Sequence, residues 1–156
     1  MLKKILVPVD GSEPGWCALE YARELGEKFA GSLTLIHVIP QAYTISLAGP
    51  VPYVPDNIGT LEDSGQNLMK LAMEKLSGYP YPISTCLEFG NPSSRILAIA
   101  KEQDQDAIVI GSRGLSSVAE FFLGSVSTNV VQHAKIPVII VKSKDCPDQQ
   151  HRNIQP

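Results

Sequence analysis

Short apolar runs and helix-spaced apolar residues alternate along most of the chain, which is the pattern of a sheet wrapped by helices. Lys3 to Val9 is aliphatic and ends on Asp10, so a buried first strand is expected. Ser12 then offers a cap for a helix with Glu13 and Pro14 in its first turn, where the negative charge suits the dipole and the missing proline N–H costs nothing. Ala18, Ala22, Leu25 and Phe29 recur at helical spacing until Gly31, the expected helix end. Leu33 to Ile39 gives a second apolar strand. From Pro40 to Gly59 the periodicity fails, and four prolines (Pro40, Pro50, Pro52, Pro55) predict an extended loop without elements.

Thr60 and Asp63 resemble a capping pair for a second helix that carries Leu61, Leu68, Ala72 and Leu76 and stops at Gly78 and Pro80. Ile83, Thr85, Leu87 and Phe89 alternate with Ser84, Cys86 and Glu88, which places the third strand at a sheet edge with one face exposed. Asn91 and Pro92 open a third helix with Ile96, Ile99 and Ala100 as its buried stripe. Ala107 to Ile110 reads as a buried parallel strand, Val126, Val130 and Val131 as a last helix, and Ile136 to Val141 as a last strand with Pro137 near its start. Strands alternating with helices predict a doubly wound, five-stranded parallel α/β sheet with helices on both faces and right-handed crossovers. One domain over residues 1–142 and a polar, disordered tail over 143–156 complete the expected organisation.

Composition changes this picture little. With 44% hydrophobic and 19% charged residues the 156-residue chain is ordinary for a globular domain. A net charge of −3 and the lack of any Lys/Arg run argue against a nucleic-acid face, and no apolar run approaches the ~20 residues of a membrane span. The three cysteines, Cys17, Cys86 and Cys146, show no metal-type spacing and nothing at the N-terminus resembles a signal peptide, so separate thiols in a reducing, cytoplasmic setting are expected. Cys17 and Cys86 read as small core or helix residues, and Cys146 as an exposed tail thiol without activating neighbours.

The chemistry concentrates in IVIGSRGLSSVAEFFLGSVST, from Ile108 to Thr128. An apolar strand turns at Gly111, Ser112, Arg113 and Gly114; a second glycine turn at Gly124 leads into Ser125, Ser127 and Thr128 at a helix start. Glycines let a backbone approach closely and a helix N-terminus presents free N–H groups, so this is an anion cradle as well as a pair of turns. Arg113 adds a cation. In open α/β sheets ligands sit beyond the carboxyl ends of strands, which would bring Asp10 and Val38 to the same crevice. Asp10 has two readings there, an acceptor for a ribose diol or a turn aspartate in Asp10-Gly11-Ser12. His37 reads as a satisfied, partly buried histidine and His133 as a C-terminal cap. Phe121, Phe122 and Leu123 read as core packing, with partner contact as the alternative. No Lys follows the glycines as in a Walker A loop, no GxGxxG is present, and Asp10 and Glu120 are the only carboxylates in these segments.

The spacing Gly111-x2-Gly114-x9-Gly124-Ser125 resembles the ATP-binding signature of the universal stress protein family. Lys4 to Ser12, Gly111 to Gly114, Leu123 to Ser127 and His133 to Val141 are similar to that family in the expected order, covering residues 2–142. The resemblance implies strand order 3-2-1-4-5 and a homodimer paired through the last strand, Ile136 to Val141. It implies that Pro8, Val9 and Asp10 line adenine and ribose, with Val38 offering backbone to adenine. Gly111, Ser112, Arg113, Gly114, Gly124, Ser125 and Val126, with Ser127 as a further candidate, would hold the phosphates of ATP, which would carry Mg or Mn. Function as a nucleotide-dependent stress sensor or regulator follows as the expectation, with a slow Mg-dependent ATPase or a nucleotide-free dimeric adaptor as alternatives. With no cradle Lys and few carboxylates, hydrolysis is expected to be slow or absent.

Overall fold

The computed structural model describes residues 2–40, 43–46, 49–52, 58–113, 123–143 and 146, with the backbone alone for 43–46, 49–52 and 58. Its main sheet is built from β1 (Lys4–Pro8), β2 (Ser32–Pro40), β5 (Ile83–Gly90), β6 (Ala107–Gly111) and β7 (Val138–Val141), all parallel, in the order β5-β2-β1-β6-β7. Taken in chain order those five strands run 3-2-1-4-5, the expected topology. The helices α1 (Glu13–Phe29), α2 (Ile58–Lys75), α3 (Pro92–Glu102) and α4 (Ser125–His133) cover its two faces.

Strand periodicity explains the two cores. Successive side chains of β1 point to opposite faces, so Ile5 and Val7 join Leu33, Leu35 and Val109 under α1 and α2, while Leu6 joins Ile36, Ile108 and Ile110 under α3 and α4. Ile5, Leu6 and Ile108 are fully enclosed, and each such side chain contributes roughly 1.5–3 kcal/mol through burial. Because β1 and β6 lie inside the sheet and are buried on both faces, they read as unbroken apolar runs.

Two helix starts form as their sequence predicts. Ser12 accepts from Gly15 N–H and Asn91 from Ser94 N–H, each with a proline in the first turn behind it. Other boundaries depart from expectation. At the end of α1 it is Ala30, not Gly31, that takes the left-handed conformation (φ 52°). Gly31 serves close approach instead, since a Cβ there would lie 3.0 Å from the Leu2 carbonyl. Thr60 lies inside α2, which starts by Ile58, and its carbonyl accepts from Ser64 Oγ at 2.8 Å within the helix. Strand β7 starts at Val138, but Pro137 still accepts from Ile108 N–H, so the proline sits where its missing donor is harmless.

The proline-rich loop holds structure that its composition hid. Its backbone forms an antiparallel hairpin of β3 (Tyr43–Ser46) and β4 (Gly49–Pro52), in a sheet of its own. Both strands are edges, so Pro50 and Pro52 can sit there although they cannot donate to a ladder. On β5, Ser84 and Thr85 are exposed while the strand's other residues are partly covered on both faces, a mixture rather than one clean exposed face.

The expectation of separate thiols, with Cys146 exposed in the tail, is overturned, while Cys17 does sit in a helix and in the core. Cys17, 2% exposed on α1, is joined by a disulfide to Cys146, 129 residues away, with Cα atoms 4.8 Å apart. Spacing along the chain gave no sign of this because the fold alone brings α1 and the segment after β7 together. Cys86 is a free thiol on β5, the strand expected to carry it, packed against the core under α3 and α4.

Candidate functional site

The site forms where β1 and β6 end, between the first turns of α1 and α4. Gly11 takes a positive φ of 84°, turning the chain just after Asp10. Asp10 Oδ1 accepts from Ser12 N–H at 3.0 Å and from Ser12 Oγ–H at 2.5 Å, while Ser12 Oγ accepts from Gly15 N–H at 3.2 Å. The aspartate is therefore a turn residue, as one of its two readings held, and it also lines the cavity that the other requires. Gly15 makes room for it: a Cβ at that position would stand 2.7 Å from Asp10 Oδ1.

At the end of β6 the chain packs even more tightly. A Cβ on Gly111 would lie 2.7 Å from the Pro14 carbonyl carbon and 2.8 Å from Gly15 N, both backbone atoms that cannot step aside. Gly111 thus sets how closely the start of α1 approaches the sheet. Ser112, 4% exposed, works through its backbone: its N–H donates to Val141 O, and its carbonyl accepts from Gly124 N–H at 2.8 Å and Ser127 Oγ–H at 2.9 Å. Those bonds tie β6, β7 and the start of α4 into one unit.

Helix α4 differs from α1 and α3 in that, among the described residues, no side chain caps it. Gly124 is the N-cap residue, and it has no hydroxyl or carboxyl group to offer the first-turn N–H groups. The nearby Ser127 hydroxyl is engaged with Ser112 O and Gly124 O.

Around these groups lies a cavity of about 300 Å³. Pro8, Val9, Asp10 and Val38 line it from β1 and β2; Gly111 and Arg113 line it from the end of β6. Gly124, Ser125, Val126 and Ser127 complete it from α4. Ten of the twelve residues expected from the sequence therefore meet in one place. Ser112 does not line the cavity, being buried behind it, and Gly114 lies outside the described residues, as do Phe121 and Phe122. Leu123 is 41% exposed, so it does not contribute to the core expected of it, and Val131, on α4 as expected, is 45% exposed.

Sequence reasoning missed part of the wall. Ile36, Ile96 and Ile110 face the cavity as well as the α3–α4 core, and Pro40 and Pro92 close its rim. Periodicity marks such residues as core without saying that the core stops there. His37 also lines the cavity, with Nδ1 2.8 Å from Val9 O. A carbonyl only accepts, so Nδ1 carries the proton, and the histidine is satisfied as read. His133 Nδ1 meets Asn129 O at 2.9 Å in the last turn of α4, consistent with its expected capping place. Among the described residues no group of three or more His, Cys, Asp or Glu could hold a metal ion, and no helix is long and apolar enough to cross a membrane.

The model of the universal stress protein family matches residues 1–142. The chain belongs to that family. Universal stress protein YxiE of Bacillus subtilis is 36% identical over 149 residues, spanning 91% of this chain and 100% of its own. Universal stress protein MJ0577 of Methanocaldococcus jannaschii is 28% identical, spanning 93% of this chain and 98% of its own. The solved structure of MJ0577 superimposes with a TM-score of 0.73 over 91% of this chain and 96% of that one, at 27% identity. An Arabidopsis thaliana universal stress family protein, solved with AMP bound, shares the fold at 23% identity, with a TM-score of 0.63 over 90% of this chain and 91% of its own.

Proposed function

We propose that this chain binds an adenine nucleotide, ATP foremost, and works as a homodimeric, nucleotide-dependent regulator in a stress response. The observation that carries this reading is the uncapped start of α4 opening on the cavity that Asp10 also lines. A helix N-terminus without its own cap is suited to phosphate, which would take N–H groups of Ser125 and Val126. Ile36, Val38, Ile96 and Ile110 give the same cavity apolar surface for a base, with backbone of Val38 for its edge. Pro8, Val9 and Asp10 would take the nucleoside, Asp10 accepting from the ribose.

Gly111, Arg113 and Gly114 would hold the remaining phosphates, with Ser112 fixing the loop from behind the cavity, Gly124 keeping the α4 end open and Ser127 bracing the loop. ATP rather than AMP is favoured by the full Gly111-x2-Gly114-x9-Gly124-Ser125 spacing. The Arabidopsis relative, with AMP bound, supports the adenine part of the reading. A divalent cation, Mg or Mn, would ride on the phosphates. With no Lys in the cradle, hydrolysis is expected to be slow. Dimer formation through β7 is supported by its position at the sheet edge, where one side of its backbone has no strand beside it among the described residues.

Mass spectrometry of purified, denatured protein is expected to release ATP or ADP. Calorimetry on the Gly114→Ala/Gly124→Val double variant is expected to show no binding. Undiminished binding in that variant would sink the site assignment, and a protein that neither carries nucleotide nor gains thermal stability from it would be a nucleotide-free adaptor. A ligand at 100 times its Kd should stabilise by about 2.7 kcal/mol.

A further inference from the structure

We infer that Cys17 and Cys146 are a reversible dithiol–disulfide couple, made and broken by exchange with small thiols and disulfides, that fastens the chain leaving β7 onto α1 and braces the loop holding Ser112. The geometry behind this is a closed circuit of three segments. Strand β7 ends at Val141, whose carbonyl holds Ser112 N–H. Five residues later the chain is bonded to Cys17, two residues past Gly15, and Gly15 with Pro14 is the backbone against which Gly111 packs. The end of β6, the start of α1 and the segment after β7 therefore hold one another, and one side of that circuit is covalent. Among the described residues, this segment otherwise meets its surroundings through packing of Cys146 against the core under α1, a Cys17 Sγ contact to Ser143 O at 3.9 Å, and a local bond from Cys146 N–H to Ser143 O at 3.3 Å.

Exchange has an accessible entry and a protected partner. Cys146 is only partly buried, whereas Cys17 is 2% exposed. Oxidised glutathione supplies the chemistry: the Cys146 thiolate attacks one of its sulfurs, forming a mixed disulfide and releasing one glutathione thiolate. The Cys17 thiolate then attacks the Cys146 sulfur and releases the second. Two protein thiols become one disulfide, two glutathione molecules leave, and the two protein protons pass to the leaving thiolates. Cys86 stands apart from this. It packs with the opposite core, under α3 and α4, and its thiol donates to Glu88 Oε1 at 3.2 Å. Burial first, and then Glu88, push that thiol up to about 11, so it stays protonated near neutral pH.

The full chain equilibrated with oxidised glutathione or with dithiothreitol, alkylated and digested, tests the couple directly. Oxidised protein is expected to yield a linked Cys17–Cys146 peptide pair and reduced protein to alkylate at both. Hydrogen exchange then tests the brace: reduction should speed exchange at Ser112 N–H at least fivefold while Leu6 N–H, in the middle of the sheet, is unchanged. Cys146→Ser should exchange at the reduced rate under both conditions. Separate mixed disulfides on the two cysteines, a link to Cys86, or equal Ser112 exchange in the two states would overturn the inference. No readout here involves nucleotide, so a failure of nucleotide binding leaves the outcome of this test unaffected.

Discussion

Helices α1 and α4 bring their first turns to the same cavity and treat their backbone donors in opposite ways. In α1 the Ser12 hydroxyl takes Gly15 N–H, and Asp10 in turn takes the Ser12 hydroxyl and N–H, so the helix start is closed by its own side chains. In α4 a glycine stands at the cap position and, among the described residues, no side chain closes the turn. The closed end gives a fixed carboxylate at one part of the cavity and the open end gives unclaimed dipole at another. A molecule with hydroxyls at one end and phosphates at the other fits that division better than either a bare anion or an apolar ligand would.

The largest way to break the contrast is to push the two helix starts apart. Gly111→Ala places a methyl group against Pro14 and Gly15 backbone and is expected to destabilise by about 3 kcal/mol, a fall in Tm of roughly 6–12 °C by calorimetric scan. A variant as stable as the parent would mean that α1 does not pack as tightly as the geometry requires. Giving α4 a cap of its own comes next. Gly124→Asp should raise the stability of the free protein slightly and weaken ATP binding about tenfold or more, near 1.4 kcal/mol, as titration calorimetry would read. Unchanged affinity would remove the open helix end from the site. Conversely, Ser12→Ala opens the closed end and should cost about 1 kcal/mol in denaturant unfolding. If it instead cost nothing, Asp10 alone would suffice to hold the turn.

The smallest effect lies at the other end of the sheet and serves as a control for both. Asp106 accepts from Lys3 N–H at 2.7 Å and Lys4 N–H at 2.9 Å. The Lys3 bond foremost holds its carboxyl below the usual 3.8, against an opposing effect of burial that comes second, with the Lys4 bond adding to the lowering. A depressed carboxyl stabilises the fold above its unfolded value and loses that contribution as pH falls through the folded one. Acid unfolding of Asp106→Asn should accordingly begin from slightly lower stability at neutral pH and converge with the parent as pH falls through the lowered range of the folded carboxyl. ATP affinity at neutral pH should not change.

What could be read from the chain before folding follows the range of the interactions involved. The Ser12 and Asn91 caps are settled within three residues, so their residue types announce them. The strand order is implied by the resemblance to the universal stress protein family, and it stands. The hairpin in 43–52 escaped because proline normally argues against strands, an argument that weakens where both strands are edges. The Cys17–Cys146 link and the cavity face of Ile96 depend on segments brought together only by the sheet, so no local pattern carries them. Asp10 could be given two roles from the sequence but not ranked between them. It holds the turn and lines the cavity at once, because Gly15 leaves space for its carboxyl group.

Tyr79 sits far along the chain from α1, yet its hydroxyl donates to the Gly31 carbonyl and occupies the space a Cβ on Gly26 would need. Residues 26 and 79 are therefore a matched pair: a side chain at one demands a smaller side chain at the other. Gly26→Ala alone should be poorly tolerated, and Tyr79→Leu in the same chain should recover part of the loss even though it deletes a buried hydrogen bond. Variation at these two positions is expected to move together, which makes the notch a place where one neutral change waits on another.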